Sequence, residues 1–286
     1  MLQLLRAKQW TKNLLLFAAL VFAQRLFDPH SFLTACIAFG AFCLASSSGY
    51  VVNDLVDVER DRQHPYKRNR PIASGRVAPA AAAGLAALLT AGALAVAWGI
   101  GWPFTVATVA YLALTHFYTF VGKNLVVLDI LLVAFGFVLR AVAGALAIGV
   151  PFSDWFVLCT FFVAIFIAVA KRRSELNAAA ADFSARPVLG HYTRDALTAF
   201  GTTAMAASVI SYSLWVQDEL EQAGGEPRTL LFTVPFVILA IFRYHLLVER
   251  GEAGERPEDT LLTDRPLQVA ILGFALVAVA AFYLAP

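Results

Sequence analysis

Asn53 to Arg76, NDLVDVERDRQHPYKRNRPIASGR, joins two long apolar runs and packs four acids beside six bases. If the helix before it runs on, Asn53, Asp57 and Asp61 recur at i, i+4 and i+8 and line one face, with Asp54 on the adjacent row. Three carboxylates and an amide are oxygen donors that suit Mg²⁺, which keeps several waters and bridges one or two carboxylates to substrate phosphates. Arg62, Lys67, Arg68, Arg70 and Arg76 then have a partner in the phosphate oxygens that the metal leaves unneutralised. A loop that only set membrane topology would need the bases but not acids at helical spacing.

The flanks of this stretch fix its setting. With 59% hydrophobic and 15% charged residues and a mean hydropathy of +0.70, the chain reads as an integral membrane protein. Nine runs are long enough to cross a hydrocarbon layer of about 30 Å: residues 12–27, 31–53, 79–100, 102–121, 126–149, 152–170, 195–217, 229–247 and 266–285. They are continuously apolar and rich in Ala, Leu and Phe, not alternating as barrel strands would be. The expected fold is therefore all-α, a polytopic bundle of nine transmembrane helices forming a single domain over residues 1–286. The basic N-terminus lacks a small-residue cleavage site after its apolar run, so that run reads as a retained first span.

Lys and Arg give the orientation. With the N-terminus inside, successive inner segments carry 3, 6, 1, 5 and 4 of them, while the outer side has Arg25 and Arg228, and Arg140 lies within a span. The charged loops at about 54–78 and 171–194 then face the cytoplasm, and the C-terminus lies outside. Gly99 to Pro103 and Gly149 to Pro151 read as tight outer turns. Cys36, Cys43 and Cys159 sit inside apolar runs, too scattered for a disulfide framework or a metal cluster. The net charge of +2 says little about partners, since acids and bases are nearly equal in number; no nucleic-acid partner is expected, and a homo-oligomer is left open.

Within the bundle, Gly136, Ala143 and Gly144 are spaced to let helices approach. Asp129, Val133, Gly136 and Arg140 share a face of the fifth span. An ionisable group at that depth points into the bundle or an aqueous cavity. Arg140 is either paired with a buried carboxylate or holds a substrate phosphate, and Asp129 is either an ion-pair partner or a site residue. The sixth span ends in Lys171, Arg172, Arg173, Ser174 and Glu175, where Lys171 and Glu175 form an i, i+4 pair if the helix continues. His191 reads as a surface or capping residue, and residues 249–265, with mixed charges and no periodicity, as a solvated loop.

Asn53, Asp54, Asp57 and Asp61, followed by Arg70-Pro71-Ile72-Ala73-Ser74-Gly75, resemble the first aspartate-rich signature of the UbiA superfamily of intramembrane prenyltransferases. The nine runs and the large loops after the second and sixth of them are similar to that superfamily too. The resemblance implies a helical bundle around a central cavity, loaded with Mg²⁺ at its cytoplasmic end and open sideways to a polyprenyl chain. One departure changes the implied substrate. Members that prenylate aromatic acceptors carry a second aspartate-rich motif after the sixth span, where this chain has the basic cluster Lys171 to Glu175. That exchange recruits less metal and meets more phosphate charge directly.

The exchange, together with Gln9-Trp10-Thr11-Lys12-Asn13, His64-Pro65-Tyr66-Lys67-Arg68-Asn69-Arg70-Pro71, and Tyr118 with Lys123 and Asp129, resembles the decaprenyl-phosphate phosphoribosyltransferase branch. The resemblance implies transfer of 5-phosphoribosyl from phosphoribosyl diphosphate (PRPP) to a polyprenyl phosphate, for the arabinose donor of an arabinogalactan cell wall. It further implies a diphosphate and Mg²⁺ on Asn53, Asp54, Asp57 and Asp61. Lys67, Arg68, Arg70, Lys171 and Arg172 would clamp the remaining donor oxygens, and Lys12 and Arg140 the lipid phosphate. Tyr118, Lys123, Asp129, Glu175 and Tyr192 would fix the ribose or tether those groups. The rival expectations are an aromatic prenyltransferase using a polyprenyl diphosphate, and a membrane transporter with no chemistry of its own.

Overall fold

A computed structural model describes residues 2–64, 67–178, 187–222, 228–254 and 257–284. Pro65 and Tyr66 of the first charged loop, and Asp182 and Arg186 of the second, lie outside the described residues. Among the described residues the regular elements are helical: α1 Ala18–Phe22, α2 Pro29–Val56, α3 Val58–Gln63, α4 Pro79–Ile100, α5 Trp102–Phe120, α6 Leu128–Ile148, α7 Asp154–Ala178, α8 Arg194–Gln222, α9 Val234–Glu249, α10 Pro257–Thr263 and α11 Arg265–Val279.

Among the described residues, seven helices are long and apolar enough to cross a membrane. The runs at 12–27 and 102–121 are helical but fall short of that standard, for different reasons. The first is a 3₁₀ helix, Ala7–Phe17, that passes into the short α1 and stops at Phe22. The second, α5, has the length but carries Thr105, Thr108, Tyr111, Thr115, His116, Tyr118 and Thr119. Several of those hydroxyls bond back to carbonyls one turn earlier, as Thr108 does to Phe104 at 2.9 Å, so the helix carries its polar atoms satisfied.

The described residues fall into two compact units, 2–152 with 187–188, and 153–178 with 189–284. In the first, Asp28 caps α2 by accepting from the Ser31 amide at 3.2 Å, with Pro29 at the first helical position. The small residues of α2 let neighbours approach: Ser48 donates to the Ala86 carbonyl at 3.0 Å and meets Thr90 at 2.7 Å, binding α2 to α4. Gly144 on α6 performs the packing role its spacing indicates. A Cβ there would lie 2.1 Å from the Leu16 carbonyl oxygen, so only glycine admits the N-terminal 3₁₀ segment against α6. Phe42, Phe104 and Tyr111 form the aromatic centre of this unit's core, among buried alanines of α2, α4 and α6. The turn at Gly101 is as tight as expected, and exposed Trp98 and Trp102 flank it edge to face, as interfacial aromatics do.

In the second unit Phe166, Ala204, Ile241, Tyr244, Leu247 and Leu267 pack together. The described residues of 249–265 make specific contacts that a solvated loop would not. They include α10, and Asp264 caps α11 by accepting from the Leu267 amide at 2.9 Å while taking a forked pair from Arg243 at 2.7–3.2 Å. Mixed charges that lack periodicity are here specific partners, Glu249 accepting from Arg173 at 2.6 Å among them.

Candidate active site

The acidic stretch does not continue as one helix. Helix α2 ends at Val56, Asp57 adopts φ −91°, ψ 5°, and α3 starts at Val58. The regular row of Asn53, Asp57 and Asp61 is therefore broken at its middle member, although the Asp57 and Asp61 amides still donate to Asn53 and Asp57 carbonyls at 3.0 and 2.8 Å. The break sends the carboxylates to different partners. Asp54 and Asp61 are buried and meet at Arg70, whose Nη1 lies 3.1 Å from Asp54 Oδ1 and 2.6 Å from Asp61 Oδ2. Asp57 instead accepts from Lys123 Nζ at 2.6 Å.

Packing places Arg70. Ile72, 1% exposed, is buried against Leu4, Val51, Ala82 and Ala86, and this anchor folds the Arg70 to Arg76 segment back over the end of α2. Arg62 Nε donates to the Ala73 carbonyl at 3.3 Å, Arg76 Nη2 to the Asn69 carbonyl at 2.6 Å, and Gly75 takes the positive φ of the turn at 78°. Arg62 and Arg76 thus spend donors on holding the loop. Lys67 is half-buried and its amide donates to His64 Nδ1 at 3.3 Å, while Arg68 is exposed. Burial, then the nearby Lys67 ammonium, holds the His64 imidazole below its ordinary pKa.

Lys123 is set by the turn before α6. Gly122 packs closely on Leu132, whose Cδ1 would lie 2.1 Å from an added Cβ and would have to move, and Val127 is held at φ 68°. A β-branched residue at positive φ is strained, so packing over-determines this turn. Asp129 is fully buried in the first turn of α6, Tyr118 is half-buried near the end of α5, and Asn53 and Lys12 are half-buried.

Sequence reasoning missed Arg6. Its Nη2 lies 2.5 Å from Asp54 Oδ1, the oxygen that Arg70 also shares, and its guanidinium carbon sits 5.0 Å from the centre of the Tyr50 ring. Counted only as a topogenic base, Arg6 carries no spacing signal that links it to Asp54, 48 residues on. Also missed were the partners of Arg140. Its Nε donates to Asn13 Oδ1 at 2.9 Å, Nη1 to the Gly136 carbonyl at 2.8 Å and Nη2 to the Tyr111 hydroxyl at 2.6 Å. Asn13 in turn donates to Ser46 Oγ at 3.2 Å. Arg140 is therefore buried among neutral acceptors and two aromatic faces, not beside a carboxylate, among the described residues.

In the second unit the helix does run past Ala170, to Ala178. Arg172, 2% exposed, donates to Glu175 at 2.6 Å, while Arg173 turns to Glu249. Tyr192 is buried and His191 exposed.

Asp54 and Asp61 already hold one cationic nitrogen between two carboxylate oxygens, and the whole donor set is oxygen, so these residues fit Mg²⁺. Among the described residues no three metal-binding side chains converge while the bases occupy the acids.

Comparisons with known proteins give the family. The UbiA prenyltransferase family model matches residues 14–260. Among curated relatives, decaprenyl-phosphate phosphoribosyltransferases of Corynebacterium glutamicum and Mycolicibacterium smegmatis are 38% and 36% identical, covering 100% and 99% of this chain and 87% and 92% of their own lengths. A UbiA homologue from Archaeoglobus fulgidus, solved bound to GPP and Mg²⁺, superposes at a TM-score of 0.73 and 20% identity, over 98% of this chain and 97% of its own. With a family match over most of its length and full-length relatives above a third identity, this chain belongs to the UbiA prenyltransferase family.

Proposed function

We propose that the chain transfers 5-phosphoribosyl from PRPP to a polyprenyl phosphate, releasing diphosphate and giving polyprenylphosphoryl-5-phosphoribose for an arabinan cell-wall precursor. The observation that carries this reading is the interleaving of Asp54, Asp57 and Asp61 with Arg6, Arg70 and Lys123 at one end of one unit. A site for metal alone needs no bases, and a site for phosphate alone needs no buried acids; a metal-bound diphosphate needs both. Relatives named decaprenyl-phosphate phosphoribosyltransferase over the full chain support the choice of substrates.

Asn53, Asp54, Asp57 and Asp61 would hold Mg²⁺, which when bound neutralises the leaving diphosphate. Arg70, Lys67 and Arg68 bind donor oxygens. The lipid phosphate, already ionised near neutral pH, attacks the anomeric carbon through oxygen; the bond to diphosphate breaks, and no general base is required. The chain supplies position and electrostatics, and attack opposite the leaving group inverts the carbon.

Lys12 and Arg140 are assigned to the acceptor phosphate. Arg140 carries a buried charge whose donors are met by neutral acceptors. Ser46, which binds its Asn13 partner, lies eight residues before Asp54 on α2, about 12 Å at 1.5 Å per residue. Tyr118, Lys123 and Asp129 position the ribose and these groups. The topology that accompanies this reading is nine spans in one domain of the plasma membrane, N-terminus and active site cytoplasmic, C-terminus outside.

Incubating membranes that carry the chain with Mg²⁺, labelled PRPP and polyprenyl phosphate tests the proposal. Label should enter the lipid phase. Label that stays in water while a polyprenyl diphosphate is consumed would instead favour prenyl transfer to an aromatic acceptor.

A further inference from the structure

We propose that Arg6 is a diphosphate-binding residue, parked on Asp54 in the free chain and transferred to the leaving diphosphate when substrate binds. The inference rests on the phosphoribosyl-transfer reading for its substrate.

Asp54 Oδ1 is doubly occupied, by Arg6 at 2.5 Å and Arg70 at 3.1 Å, and Arg70 also serves Asp61 at 2.6 Å. Two acids and two bases thus form a balanced cluster around carboxylates that are 4% and 5% exposed. A divalent cation placed between Asp54 Oδ1 and Asp61 Oδ2, where Arg70 now sits, displaces guanidinium contacts there. The cluster would then carry two excess positive charges in a poorly hydrated place, where an unbalanced charge is costly. Only an anion of at least two charges restores the balance, and diphosphate is such an anion. Cation and diphosphate sites are therefore created together, by one exchange of partners.

Arg6 cannot leave the site when it leaves Asp54. Ser47 Oγ donates to the Leu5 carbonyl at 2.8 Å and accepts from Trp10 Nε1 at 3.0 Å, clamping the chain on both sides of Arg6 to α2. Leu4 is fully buried, and Arg6 itself is held in the left-handed region, φ 49°, ψ 51°, which few residues other than glycine adopt. The Tyr50 ring lies beneath its guanidinium. A base pinned in place, with its carboxylate taken by metal, has its fork of donors free for phosphate oxygens.

The test is calorimetry of inorganic diphosphate, with Mg²⁺, on the purified full chain in detergent, beside Mn²⁺ binding followed by electron paramagnetic resonance. Arg6→Gln should weaken diphosphate binding roughly 10- to 100-fold and leave Mn²⁺ alone bound equally or more tightly. In turnover it should raise KM for PRPP with little change in KM for the lipid. Undiminished diphosphate affinity in Arg6→Gln, with Mn²⁺ binding tightened, would mean that Arg6 only neutralises Asp54, and overturns the proposal. If Arg6→Gln does not fold, Arg6→Lys keeps the charge on Asp54 and should still lose roughly threefold or more; wild-type affinity there overturns it equally. A wild-type chain that binds no Mg²⁺-diphosphate also overturns it. A chain that binds Mg²⁺-diphosphate but moves no label from PRPP to lipid overturns the transfer reading alone.

Discussion

Lys123 reaches Asp57 across 66 positions of sequence, its Nζ 2.6 Å from the carboxylate, and so ties the turn before α6 to the end of α2. Both side chains are mostly buried, at 12% and 18% exposure. Removing either leaves the other charge poorly solvated. Lys123→Met and Asp57→Asn should each destabilise the chain, and the double variant should lose less than the sum, with a coupling of about 0.5–3 kcal/mol. A double-mutant cycle by thermal denaturation in detergent measures it; strict additivity would show the pair to be energetically idle.

Arg70 carries more, because it bridges Asp54 and Asp61. Arg70→Met should cost about 3–5 kcal/mol, the range for stranding a buried charge. Asp61→Asn in the Arg70→Met background should recover part of that loss by relieving the repulsion between two acids. Denaturant titration of the three proteins checks the order of stability.

The helices themselves were legible as apolar runs, and the loops as the places between them with charge. What was not legible was how a helix ends. Nothing at Asp57 marks an interruption, since it is neither Gly nor Pro, and the break follows from Ile72 and Arg70 folding back onto α2. The N-terminal run could not announce its close approach to α6, because the glycine that admits the Leu16 backbone, Gly144, lies far away in sequence. Asp54, Asp57, Asp61 and Arg70 were readable because acids at helical spacing beside bases are rare in a membrane chain. Arg6, Asn13 and Tyr111 were not, since each acts through a partner far away in sequence.

Arg140 makes a separate prediction, because its partners are neutral. Asn13→Leu should cost about 1–3 kcal/mol by leaving Arg140 Nε without its acceptor. In an Arg140→Met background the same change should cost little. Arg140→Met should keep diphosphate binding and lose transfer to the lipid; a variant with full transfer would remove Arg140 from the acceptor site.

Asp264 combines a cap with an ion pair, so its two roles separate by substitution. Asp264→Asn keeps an acceptor for the Leu267 amide and loses the charge on Arg243, whereas Asp264→Ala loses both and should cost about 1 kcal/mol more. The hydrogen bond from Arg243 holds the Asp264 carboxyl below its ordinary value of 3.8. Its folded pKa is thus below the unfolded one, so its stabilisation is complete above the unfolded value and is lost as pH falls through the folded value. Thermal melts of wild type and Asp264→Asn should converge as the medium is acidified below that point.

The most direct measurement is product formation by purified wild-type, Asp57→Ala and Asp61→Ala chains, given Mg²⁺, PRPP and polyprenyl phosphate, with the lipid extract read by mass spectrometry. Wild type should yield polyprenylphosphoryl-5-phosphoribose and one diphosphate per turnover, dependent on Mg²⁺, and both variants should fold, extract and yield none. Mg²⁺-dependent product from either variant at the wild-type rate would contradict the account.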